Sequence, residues 1–172
     1  NNSVAIGDTN NVASNRTYAM GNNINVAASA DDSLAFGTKA AVGGNNAIAM
    51  GNTAQASSAN STAISTEANA RTWYSIAMGY KAVAGDNSAG APANGTSAIA
   101  IGNQALANYY NAIALGQKAK VNTGADGIAI GSETEVNAYK GTAIGAYAQA
   151  NGSQALAIGN NKQGQSSVAS GQ

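Results

Sequence analysis

Two pairs of carboxylates come closest to chemistry in this sequence, Asp31-Asp32 and Glu133-x-Glu135. Neighbouring acids can divide general-acid and general-base roles between them. Nothing else supports such a site. The chain has no His and no Cys, which removes the commonest proton-transfer groups, nucleophiles and soft metal ligands together. Both pairs are expected in turns or on an outward strand face, where carboxylates serve solvation. The reading is a non-enzymatic chain with no catalytic residue, no metal and no cofactor.

The aromatic residues offer contact rather than catalysis. Trp73, Tyr110 and Tyr139 each fall eight residues after a recurring Gly position, and Tyr74 and Tyr109 flank them. In register they would form a broken stripe on one edge of a rod, and Trp and Tyr are frequent binding anchors. Packing over the rod's edge is the competing reading, and the residues leave both open. Pro92, the single proline, joins the candidate ligand contacts because it sits in an insertion. Tyr18 falls at a core position and is expected to be buried.

Composition limits what can hold these residues. Of 172 residues 44 % are apolar, but 40 are Ala, and Leu, Phe and Trp together contribute only six. That is too little bulk for a thick core to offset chain entropy. Zero net charge, only 9 % charged residues, and Ile and Val at fixed spacing oppose disorder. The eight Lys and Arg are scattered, which argues against nucleic acid and against an anionic membrane surface. No apolar run approaches a membrane span, so direct membrane contact by this stretch is not expected.

A repeat organises the whole chain. Its pattern is small–large–Ala–large–Gly, as in Ser3-Val4-Ala5-Ile6-Gly7, Ala98-Ile99-Ala100-Ile101-Gly102 and Ala112-Ile113-Ala114-Leu115-Gly116. Twelve copies occur, with Ser65 in place of one Gly and a decayed last copy at Ser167-Val168-Ala169-Ser170-Gly171. The Gly positions are separated by 14, 16, 14, 14, 14, 23, 14, 15, 14, 14 and 12 residues. Alternating sizes before a Gly read as a short strand and a turn. Ser65 should mark a strained or altered turn.

A second strand follows each turn, with small residues such as Ala40 and Val42 or Ala105 and Ala107 alternating with polar ones. Coils of strand, Gly turn, strand and looser turn would stack in parallel as an all-β roll. At about 4.8 Å per coil the rod would be on the order of 55 Å long. Large residues such as Ile99 and Ile101 are expected to point into the roll.

The central Ala of each copy is then expected on the outer face. It recurs as Ala5, Ala19, Ala35, Ala49, Ala63, Ala77, Ala100, Ala114, Ala129, Ala143 and Ala157. The position before the first large residue holds only Ser, Thr, Ala or Gly. Such exclusion of bulk implies close contact along the rod, and a second copy of the chain is the expected partner. These alanines are the candidate subunit interface.

The Ser-Val-Ala-Ile-Gly repeat at period 14 resembles the head of the trimeric autotransporter adhesins, the YadA-like family of Gram-negative bacteria. The resemblance covers residues 3 to about 164. It implies a left-handed parallel β-roll (a β-solenoid), a homotrimer, and display at the bacterial cell surface from the outer membrane. It also implies adhesion to a host extracellular-matrix protein or cell-surface receptor, or to an adhesin on a neighbouring cell. The domain reading is a head over 1–164 with an inserted loop at about 85–95, and an end of the roll or start of a neck over 165–172. A different class remains: a rigid spacer of an adhesin or phage tail fibre, with binding elsewhere. Hexapeptide-repeat acyltransferases share the solenoid idea but need a catalytic His, which is missing.

Overall fold

The computed structural model describes residues 2–85, 97–160 and 168–169. Pro92 and residues 86–95 of the expected insertion lie outside them. So do 161–167 and 170–172, which include most of the expected neck segment.

The chain winds as a parallel β-solenoid. Three-residue strands from Val4–Ile6 to Leu156–Ile158 form one sheet of 11 strands, and two-residue strands from Asn11–Val12 to Val168–Ala169 form the other. Every coil contributes one strand to each sheet, and neighbours pair in parallel. The N–H of Ile99 donates to the carbonyl of Ala112 at 2.8 Å, and that of Leu106 to the carbonyl of Ala119 at 2.8 Å. The ladder continues round the turns: Gly116 N–H donates to Ile101 C=O, and Gln104 N–H to Tyr80 C=O, both at 2.8 Å. Backbone groups at nearly every position therefore find a partner one coil away, which a thin fold requires.

The recurrent Gly is needed for two reasons at once. Gly102 has φ +137, and a β-carbon there would lie 2.3 Å from the carbonyl oxygen of Gly116 in the next coil. Ser65 stands in this column with φ 108, outside the left-handed helical well that a side chain tolerates. Of the strained or altered turn expected there, the structure shows the strained one: the inter-coil bond of the Gly coils is kept, with Ser65 N–H donating to Met50 C=O at 2.7 Å.

The core inverts the expected sidedness. Ala35, Ala49, Ala63, Ala77, Ala100, Ala114, Ala129 and Ala143 have no exposed surface, and Ala19 and Ala157 have almost none. Ala5 stands in register with Ala19 but is exposed, because the first coil is covered on one side only. These alanines face the roll's own interior and meet Ala54, Ala56, Ala105 and Ala107 of the second sheet, which are also fully buried. They are therefore not a surface offered to another copy. The steric exclusion is real, but the close neighbour is the other sheet of the same chain.

The position before the first large residue is interior too. Ser61, Ser75 and Ser33 are buried, and each hydroxyl donates at 2.6 Å to the carbonyl three residues earlier, of Ser58, Thr72 and Ala30. A buried hydroxyl without such a bond would be costly. With both alternating small positions inside, the large residues must point out. Ile101 is 39 % exposed, and Tyr18, expected in the core, is 60 % exposed.

Past Gly159 the second sheet gains one more strand. Val168–Ala169 pairs with Gln149–Ala150, so the final Val-Ala belongs to the second sheet rather than to a decayed first strand.

Candidate functional site

Two faces of the rod carry groups able to engage another molecule. The larger is the outer face of the first sheet. In-register pairing aligns Ile76, Ile99, Ile113 and Ile128 in one column and Met78, Ile101, Leu115 and Ile130 in another. Val4, Ile6, Met20, Phe36, Met50, Ile144, Leu156 and Ile158 extend these columns towards the two ends, all partly or largely exposed. Thr62 and Thr142 are the polar interruptions of the first column between Leu34 and Leu156. β-Branched and long apolar side chains at every coil make a continuous apolar strip on a face that carries no second layer among the described residues. Scattered exposed apolar residues are ordinary, but a contiguous strip marks an interaction surface.

The second face is the looser turn leading into each first strand. Trp73 is 40 % exposed, Tyr110 38 % and Tyr139 44 %. Tyr74 is exposed beside Trp73, whereas Tyr109 is half-buried and packs on the alanine core. On this edge Tyr109 seals the core, while Trp73, Tyr74, Tyr110 and Tyr139 stand exposed. Lys140 Nζ lies 5.0 Å from the centre of the Tyr139 ring, a cation–π contact that orients it.

The acidic pairs are tied into the rod by neighbouring coils. Asp31 accepts the Asn15 backbone N–H at 2.8 Å, and Asp32 takes a bidentate pair from Arg16. Glu133 faces Lys118 at 3.7 Å, and Glu135 faces Lys120 at 3.9 Å. The Arg16 guanidinium holds the Asp32 carboxyl below its ordinary value through that hydrogen bond. These contacts are inter-coil struts on an exposed surface, and both acids of each pair are engaged by them. Among the described residues no group of three or more His, Cys, Asp or Glu could hold a metal ion.

The sequence reading missed the apolar strip because it assigned large residues to the interior. The signal was available: Ala is a poor strand former, so a strict Ala row inside a thin roll explains its recurrence without any partner.

A family model described as YadA head domain repeat (2 copies) matches residues 28–52, 43–64, 93–119, 110–134, 122–148 and 137–161, together more than half of the chain. No curated protein and no solved structure matches the chain.

Proposed function

The chain belongs to the family of YadA head domain repeats, and from that premise we propose that it is the adhesive head of a homotrimeric surface protein. The family is adhesive and structural, self-associating and displayed on bacterial surfaces. Here the left-handed rods of three copies bring their first-sheet faces together, so that the columns through Ile99 and Ile101 form a shared apolar core. The observation that supports this is the continuous apolar strip on a roll whose own interior is filled by alanine. A chain with so thin a core gains much of its stability from such association.

With the first sheet occupied, the second sheet and the turn edges remain for contact. They carry the head's attachment to host extracellular matrix or to a neighbouring cell, with the outer membrane as the distant anchor. Repetition along the rod and across copies converts weak contacts into avidity.

Native mass spectrometry and solid-phase binding test the two halves separately. A mass of three chains is expected, together with retention on collagen, fibronectin or laminin. A folded single chain overturns the assembly. Failure to bind any matrix protein or bacterial cell, while a longer stretch of the parent protein binds, assigns this part a spacer role instead.

A further inference from the structure

We infer that a groove on the outer face of the second sheet, at Asn69 and Arg71, binds a sugar that carries one carboxylate. The inference goes beyond the matrix-adhesion reading and stands whether or not this chain binds a matrix protein. The groove has a volume of about 620 Å³ and is lined from three consecutive coils, by residues between Asn52 and Val83. Gln55, Asn69 and Val83 pair in register and form its floor. Glu67, Asn69 and Arg71 alternate with the buried Ala68 and Ala70, so all three face outward. Glu67 thus stands on one side of the Asn69 column and Arg71 on the other.

Unmet polar groups set this stretch apart from the rest of the rod. Elsewhere the second sheet and its borders satisfy such groups from the next coil. Asn11 donates to Asn25 at 3.2 Å, and Lys120 faces Glu135 at 3.9 Å. In the column that holds Arg71, Asn122 donates to Asn137 at 2.8 Å and Asn137 to Asn151 at 2.9 Å. The chain's other arginine, Arg16, is held by both oxygens of Asp32. The Arg71 guanidinium is half-buried, yet among the described residues it has no hydrogen-bond or ion-pair partner. Lys81 is already engaged, 3.7 Å from Glu67 and 5.0 Å from the centre of the Tyr80 ring. Independently, Asn69 Oδ1 is buried without a hydrogen-bond partner. A sealed acceptor with no donor works against folding, and it marks the same groove as a place where a donor is missing.

These groups select the occupant. Glu67 and Lys81 offset each other, which leaves the single positive charge of Arg71 for a single negative charge. Its planar fork matches a carboxylate, and Glu67 disfavours a doubly charged phosphate. Asn52, Thr53, Gln55 and Asn69 are neutral groups that pair with hydroxyls. A ring hydroxyl beside the carboxylate can donate to Asn69 Oδ1. An acidic peptide side chain brings its carboxylate on an apolar stem with no donor of its own. Three strands span about 10 Å, the width of one or two sugar rings.

NMR titration of the assembled protein with the methyl glycosides of glucuronic acid and N-acetylneuraminic acid tests this. The contrasting probes are the methyl glycoside of glucose, inorganic phosphate and N-acetylaspartate amide. At least one sugar acid should bind at millimolar concentration, and the contrasting probes about tenfold more weakly or worse. Arg71→Gln should weaken binding about tenfold or more, and Arg71→Lys, which keeps the charge but not the fork, should also weaken it. Asn69→Ala should weaken binding while melting no lower than the parent, because it removes the unsatisfied acceptor. Lys140→Gln makes the same change of charge on another edge and should leave binding unchanged. No binding of either sugar acid overturns the proposal. So does binding indifferent to Arg71→Gln, an equal loss in Lys140→Gln, or equal or tighter binding of N-acetylaspartate amide.

Discussion

A β-carbon placed on Gly127 would lie 2.7 Å from Cγ1 of Val121, and 3.2 Å from Cγ1 of Val136 in the next coil. Gly141 stands in the same relation to Val136, at 2.9 Å. At Val121 and Val136, where the second sheet puts Val into the core, the first sheet answers with Gly. Neither glycine is at positive φ, so volume alone accounts for them. Gly127→Ala should destabilise the fold by about 1–3 kcal/mol, as overpacking does. Val121→Ala in the same chain should recover part of that loss. A double-mutant cycle from denaturant unfolding checks it, and strictly additive losses would break the link between the two positions.

That pairing also explains what could and could not be read from the sequence. Period, strand alternation, the Gly turn and the stacked coils were legible because each depends on local spacing. Sidedness was not, because a strand with small and large residues on alternate faces satisfies the same period either way up. Ile101 and Ala100 are adjacent, and nothing local says which of them is inside. The answer lies in the second strand. Ala105 and Ala107 are too small to fill a gap left by the first sheet, yet the interior holds Ala100 rather than Ile101. The two sheets therefore approach closely, and only a whole-coil volume argument reveals it. The aromatic edge was legible by counting from each Gly, but Tyr109's packing on the core and Tyr110's exposure differ by one residue and required the structure.

Ser65 occupies the Gly column at φ 108, a region costing a side-chain-bearing residue on the order of 1–3 kcal/mol. Its neighbours in the column are Gly51 and Gly79, each at φ above +120. Ser65→Gly should relieve the strain and raise Tm by a few degrees, the shift about 1 kcal/mol produces in a chain of this size. A lower Tm would mean that the serine contributes more than its backbone costs.

The Arg16–Asp32 strut makes a pH prediction. Its hydrogen bond lowers the Asp32 pKa in the folded state, so its contribution is fully present above the unfolded carboxylate value. It is lost as pH falls through the lower folded value. Stability should therefore drop slightly more steeply below about pH 4 than in Asp32→Asn. Asparagine tolerates the φ of 58 at this position, which makes the variant clean. The pair is exposed, so the difference should be small and should vanish in molar salt. Thermal melts from pH 3 to 6 at low and high salt measure it. A difference that survives molar salt would remove Asp32's charge as its cause.

Ala100 and Ile101 are neighbours whose substitution should have opposite consequences. Ala100→Leu forces a large side chain between sheets that leave Ala100 no exposed surface. The roll itself should be destabilised by about 1–3 kcal/mol or more, whatever the oligomeric state. Ile101→Asp places a charge on the outward strip, where a single chain can solvate it. Combined with Ile130→Asp, it should leave the far-ultraviolet spectrum of the roll intact at low temperature while splitting the proposed trimer, since an unpaired charge buried at such an interface is strongly unfavourable. Melting temperature should also become insensitive to protein concentration once association is lost. Light scattering and circular dichroism on the two variants separate interior from interface. An Ala100→Leu protein that melts like the parent, or an Ile101→Asp, Ile130→Asp protein that keeps its full mass, would put the wrong residue on the inside.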